Sequence, residues 1–284
     1  MTTSTHIAAA PAPTRKKRPP RLLEVTRTEP LSEHMVRIFL GGEALAGFPD
    51  NAPGGHLKVF LPRDHQSTPS LPELTADGPI WPEPEERPIT RTYSVRQMDT
   101  ERGELAIDFV LHGDNGPASR WAARATQGDL IGISGPGGPL PLLKPADHYL
   151  LAGDLSALPA MIALCEALPG NASGHVLIEA IDERDHIDFE HPPGLKIHWL
   201  YRGAQAACES MRLIEAARAL SFDENAVVFG WAGGENSAVL ALRDHFRNTL
   251  ALPKGRFYAV PYWKDQFSEE RYHQERHRIM DENE

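Results

Sequence analysis

Two cysteines in 284 residues are too few for a disulfide framework. Cys165 and Cys208 also lack the CxxC spacing of a structural zinc site. Long apolar runs are missing as well: Tyr149-Leu150-Leu151-Ala152 falls far short of the about 20 residues that span a bilayer, so no membrane passage is expected. Positive charge is scarce beyond the N-terminus. The net charge is −10, and without Arg15, Lys16, Lys17, Arg18 and Arg21 the remainder carries −15. That balance argues against nucleic acid as a partner, since such binding rests on a basic surface that neutralises phosphates. An anionic ligand must therefore meet a local basic pocket. What is present is ordinary for a globular chain: 41% hydrophobic and 24% charged residues supply sizeable cores. The length favours two domains over one.

Residues 1–20 put their basic cluster after a weakly apolar stretch, the reverse of a secretory signal, and read as a disordered basic tail of a cytoplasmic protein. From 21 to 145 the text is short β-rich runs bounded by Gly, Pro or Asp: Leu22–Arg27, Met35–Leu40, His56–Leu61, the Arg91 strand and Glu104–His112. Residues 62–88, rich in Pro and acids, read as a surface excursion, and Pro117–Thr126 as a helix. A small antiparallel β-barrel is expected there. Residues 146–260 instead alternate strands (149–154, 175–181, 195–201, 226–231, 256–260) with helical spacing (158–168, 209–220, 236–250), which implies a parallel sheet in an α/β domain. Residues 261–284 read as a partly helical tail, with Ser268 as N-cap and Phe267 and Tyr272 at staple positions.

Four segments carry chemistry. In Arg91-Thr92-Tyr93-Ser94-Val95-Arg96 a strand presents Arg91 and Tyr93 on one face and Thr92 and Ser94 on the other, offering an anion fork, a flat ring and hydroxyls. In Asp108–Trp121 a strand leads through a Gly-rich turn to a helix with Pro117 near its first position, a ready anion site. Ala152-Gly153-Asp154-Leu155-Ser156-Ala157-Leu158-Pro159-Ala160 and Phe229-Gly230-Trp231-Ala232-Gly233-Gly234-Glu235-Asn236 are both strand, small turn and helix start, where open parallel sheets bind nucleotides. The former lacks GxGxxG, so a standard Rossmann fingerprint is not supported.

Together with Gly128-Asp129, Gly135-Pro136 and Tyr262-Trp263-Lys264, these segments resemble the siderophore-interacting proteins, flavin-dependent ferric-siderophore reductases related to ferredoxin-NADP reductase. The resemblance runs in one order from about Leu22 to Lys264. It implies a two-domain ferredoxin-reductase-like chain, an antiparallel β-barrel for FAD followed by an α/β domain for NADPH or NADH. The flavin would lie on Arg91, Thr92, Tyr93 and Ser94, on Asp108, Val110 and His112, and on the Gly116-Pro117-Ala118-Ser119 turn with Trp121. Asp154, Ser156 and Pro159 would approach from the second domain. Arg202 would meet a 2′-phosphate and Glu235 the nucleotide. Lys58 and Lys264 would bind an anionic ferric siderophore, with Arg247 or Arg256 as a third cation. The rim departs from the family pattern: Pro261 precedes Tyr-Trp-Lys, and Gly135-Pro136-Gly137-Gly138 lacks an Arg. The implied activity passes electrons from nucleotide through FAD to Fe(III) without a protein acid, base or metal ligand. Two rivals stay open, a flavin- or chelate-binding module without turnover and a reductase serving a ferredoxin. A monomer is expected.

Overall fold

Alternation of core and outward residues sets the first sheet: in one strand Leu57 and Val59 are fully buried while His56 and Lys58 face out. The computed structural model describes residues 18–113 and 116–281. Its first half holds β1 (Arg21–Ser32), β2 (Met35–Gly41), β3 (His56–Leu61), β4 (Glu73–Thr75), β5 (Gly78–Ile80), β6 (Ile89–Ser94), β7 (Gln97–Asp99), β8 (Glu104–Val110), α1 (Pro117–Arg124) and β9 (Leu130–Gly137). Seven strands form an antiparallel sheet in the order β6-β3-β9-β1-β2-β8-β7, and β4 pairs β5 in a hairpin within the expected excursion. The sheet curls on itself, since the Arg96 N–H, just beyond β6, donates to Ala106 of β8 at 3.1 Å. Leu23, Val25, Ile38, Leu57, Ile107 and Ile133 fill its interior. Composition does not announce β9, because Gly132, Gly135, Pro136 and Gly137 read as turn. Gly132 is nonetheless closely covered, since a Cβ there would run into the Leu71 side chain and crowd Phe60.

The second half holds β10 (His148–Asp154), α2 (Leu158–Ala167), β11 (Ser173–Ala180), β12 (Gly194–Tyr201), α3 (Arg212–Arg218), β13 (Val228–Glu235), α4 (Asn236–Asp244), β14 (Phe257–Trp263) and α5 (Glu269–Asp281). Five parallel strands run β12-β11-β10-β13-β14. The order reverses between β10 and β13, so ligands are expected at the carboxyl ends of those two strands. Helix α2 covers one face and α3 with α4 the other. Residues Leu158 to Cys165 of α2 are all buried because the helix is sandwiched, with Met35 and Leu142 joining its cluster from outside the parallel sheet.

Strand β14 runs three residues past the expected Val260, which puts Tyr262 and Trp263 in the sheet. Ser268 caps α5 as anticipated, accepting from the Arg271 N–H at 3.3 Å. The Tyr272 ring is buried and its hydroxyl donates to Asn236 Oδ1 at 2.9 Å. The basic segment 1–20 lies outside the described residues except for its last three.

Candidate active site

Strand pairing builds the first wall. In the β3/β6 register His56 faces Ser94, Leu57 faces Tyr93, Lys58 faces Thr92 and Val59 faces Arg91. Arg91 and Tyr93 therefore share one side of the sheet, and Thr92, Ser94, Lys58 and His56 the other. The Tyr93 ring lies 4.2 Å from Phe109, which lies 5.7 Å from Trp121, an aromatic ladder at the barrel end. Burial pushes the Tyr93 phenol well above its ordinary pKa. Arg91 Nη1 donates to the Thr90 carbonyl at 2.8 Å and to Glu270 Oε1 at 2.7 Å. The Thr92 hydroxyl accepts from Lys58 Nζ at 2.7 Å, so it is engaged by the lysine.

The second wall is the start of α1. Gly116 is its N-cap with Pro117 in the first turn, and among the described residues no side chain caps it. The N–H groups of Ala118 and Ser119 thus stay available to an anion. The His112 ring lies over Gly116, where a Cβ would sit 2.5 Å from His112 Cε1 and push the ring aside. Two predicted ligands have other work. The Ser119 hydroxyl accepts from the His112 N–H and donates to the Gly113 carbonyl, both at 2.9 Å, so it shapes the turn. The Asp108 carboxylate is buried and clasped by Arg37 Nε and Nη2 at 2.7 and 2.9 Å across the β2/β8 pair. Val110 turns toward the α2 cluster, and Pro159 is buried in the first turn of α2.

Asp154, at the end of β10, is the hub of the α/β wall. One oxygen accepts from the Ser156 N–H and hydroxyl at 2.9 and 2.5 Å, the other from the Glu235 N–H at 2.7 Å and Trp263 Nε1 at 2.8 Å. This joins the ends of three strands, and Gly234 (φ +126°) allows it, since a Cβ there would meet the Asp154 carboxylate at 2.7 Å. The Glu235 carboxylate accepts from the Ser237 and Asp265 N–H groups and so occupies the N-terminus of α4. Among the described residues no side chain caps α2, whose first turn includes Pro159. Arg202, just past β12, donates to the Gln205 carbonyl at 2.5 Å.

The two walls meet beside Ser94. Burial raises the pKa of the Tyr262 phenol far above its ordinary value, although the Ser94 hydroxyl lies close enough to favour the ionised form. Around this point the cations gather. Lys58 has its pKa lowered by burial and by Arg276, and His56 by burial, Lys58 and Arg276. Arg276, on α5, holds Glu269 with two donors and reaches the Tyr262 carbonyl. Lys264 Nζ binds Glu275 at 2.8 and 3.0 Å and lies 4.5 Å from the Phe267 ring centroid. The predicted third cations are not brought here. Arg247 stacks over Phe257 and Arg256 donates to the Pro145 carbonyl, both at the N-terminal end of β14. Lys264 follows the other end, about 20 Å away for seven residues at the usual strand rise. Arg276 stands in their place. Sequence reasoning missed it, together with the acids of α5, because Glu269 and Glu270 also make sense as helix-start charges.

The residues fit a flavin dinucleotide. One face of β6 offers a planar cation and an aromatic ring backed by Phe109 and Trp121, and the start of α1 offers N–H groups without a side-chain cap. The other face of β6 carries the Ser94 hydroxyl. These groups suit a pyrophosphate, a ring face and a ring edge.

Comparison with known proteins agrees. A family model for the siderophore-interacting FAD-binding domain matches residues 24–140, and one for the siderophore-interacting protein matches residues 146–266. The ferric vibriobactin reductase ViuB of Vibrio cholerae is 41% identical, over 93% of this chain and 96% of its own. The siderophore-interacting protein SipS from Aeromonas hydrophila superposes with a TM-score of 0.81 at 41% identity, covering 93% of this chain and 98% of that one. Ferredoxin-NADP+ reductase from Plasmodium falciparum shares the fold, with a TM-score of 0.59, 12% identity, and 86% and 96% of the two chains covered.

Proposed function

Because the chain belongs to the siderophore-interacting protein family, we propose that it is an FAD-dependent ferric-siderophore reductase, taking electrons from NADPH or NADH and releasing iron from its chelate as Fe(II). The observation that carries the reading is the junction at the end of β6: Lys58 is bonded to Thr92 of the flavin strand, Arg276 to the Tyr262 carbonyl of β14, and Trp263 to the Asp154 turn of the nucleotide sheet. FAD, when bound, supplies the exchange between a hydride pair and single electrons.

This chain's residues supply position and field. Arg91 presents two donors in a plane to a pyrophosphate, and the Ala118 and Ser119 N–H groups complete that anion site. Tyr93 offers a ring wall backed by Phe109, and Ser94 a hydroxyl at the cleft. The uncapped start of α2 suits the phosphates of a nicotinamide nucleotide, and Arg202 suits a 2′-phosphate, which favours NADPH. Lys58 and Lys264 raise the local concentration of an anionic chelate against an otherwise acidic body, because a recessed cation group focuses the field. Reduction weakens the hold of hard oxygen donors on iron, so no protein ligand for the metal is needed.

No described helix is long and apolar enough to cross a membrane. The reading puts the reaction in the cytoplasm, where reduced nicotinamide nucleotides are kept, and treats the chain as a monomer. The test is spectroscopic. The purified protein should show a flavin absorbance band that NADPH or NADH bleaches anaerobically and that a ferric siderophore restores, with Fe(II) trapped by a chromogenic chelator. A flavin that neither nucleotide bleaches would sink the proposal, and a nucleotide-reduced flavin reoxidised by oxidised ferredoxin but not by a ferric siderophore would turn it toward the protein-carrier reading.

A further inference from the structure

The flavin strand and the nucleotide turn belong to different sheets, yet about 1 Å of misplacement at a reacting centre costs on the order of 100-fold in rate. Something must fix α2, which follows directly on the Asp154–Ser156 turn, against β6, which ends in Ser94. Two residues beyond Ser94, Arg96 donates from Nη1 and Nη2 to Glu166 Oε2 and Oε1 at 2.7 and 2.6 Å. Glu166 lies on the last turn of α2, a rod of 10 residues, about 15 Å long. The Arg96 side chain is only 7% exposed, and among the described residues its Nε, 4.0 Å from Asp108 Oδ2, has no hydrogen-bond partner. Asp108 is in turn clasped by Arg37, so the guanidinium is walled in on the barrel side and reaches out only to α2. Beside it Gly54 (φ +69°) lays barrel backbone directly on the helix: a Cβ would sit 3.3 Å from the Ala160 carbonyl and from Leu164. The Gly54 N–H bonds to the Val95 carbonyl, and the Val95 N–H to that of Gly55, tying this contact to the end of the flavin strand.

We infer that Arg96 and Glu166 are positioning residues for the hydride step, fixing the pitch of α2 so that the Asp154–Ser156 turn and Ser94 keep their separation across the cleft. The inference rests on the reductase reading. A desolvated, two-pronged pair differs from an exposed surface bridge, which contributes little. A single mobile contact would leave α2 free to rock about Gly54.

The test uses the full-length, FAD-loaded protein and the variants Glu166→Gln, Glu166→Ala and Arg96→Lys. Glu166 is one-third exposed, and Glu166→Gln keeps an oxygen to accept from the buried Arg96 guanidinium. That variant is the one least prone to unfold, with urea titration reporting the stability of all three. Anaerobic stopped-flow bleaching by the reduced nucleotide should slow about tenfold, with a deuterium isotope effect more dependent on temperature, while reoxidation of chemically reduced protein by a ferric siderophore stays within about twofold. In the flavin-free protein, amide exchange at Gly54 and Val95 should rise in the same variants. Bleaching as fast as the parent, or both half-reactions slowed alike, would overturn the assignment. A parent protein whose flavin no nucleotide bleaches would overturn the reductase reading first and this one with it.

Discussion

Replacing Glu270 with Gln should tighten FAD binding. The Glu270 carboxylate sits 2.7 Å from Arg91 Nη1, so a pyrophosphate arriving at that guanidinium must displace it. Burial works against its charge, but hydrogen bonds from its own backbone and from Arg91 hold its pKa below the ordinary value, so it competes as an anion at neutral pH. The competitor is weak, since the Glu270 side chain is 66% exposed and such pairs contribute about 0.3 to 1 kcal/mol, or about two- to fivefold in dissociation constant. Arg91 itself is worth more: charge-assisted bonds run about 1.5 to 3 kcal/mol, so Arg91→Ala should weaken FAD binding by about 10- to 100-fold. Titration of flavin-free protein by quenching of FAD fluorescence reads both. The Glu270→Gln gain should shrink in high salt, where exposed pairs are screened. Unchanged or weaker binding in Glu270→Gln would refute the competition. A gain that persists undiminished in high salt would refute its electrostatic origin.

Lys264→Glu should raise the KM for an anionic ferric chelate by about tenfold or more with little change in nucleotide-driven flavin reduction, while Arg247→Gln and Arg256→Gln leave steady-state kinetics alone. Lys58 has its pKa lowered by burial and by Arg276, so chelate affinity should fall as pH rises through that depressed value, below the range of an ordinary lysine. Lys58→Arg should push the fall upward, and a pH-independent affinity would count against a role for Lys58. Asp154→Asn should cost about 1 to 3 kcal/mol of stability by urea titration, because one amide oxygen cannot replace a carboxylate that holds Ser156, Glu235 and Trp263 together.

Local patterns were legible because each is written in consecutive residues. The alternation at His56–Leu61, the Pro at the start of α1 and the Ser268 cap all sit where the sequence puts them. Pairings across the chain were not. Asp108 reads as a flavin ligand until Arg37 is seen opposite it, and Ser119 as an anion donor until its hydroxyl is found holding the Gly113 turn. Strand β9 hides behind glycines that close packing demands, as Leu71 over Gly132 does. Arg96 lies inside the most informative hexapeptide, yet its partner is 70 residues away.

The order of the strands has a consequence for biosynthesis. Every strand of the antiparallel barrel lies before residue 138, whereas Tyr262, Trp263, Lys264 and α5 are the last described parts of the chain. On the ribosome the flavin pocket can therefore fold while the rest is still being made. The cation group cannot assemble until β14 and α5 have also been made. A nascent chain so arranged holds its cofactor before it can engage iron, and fragments lacking the final strand should still bind flavin but have no site for a chelate.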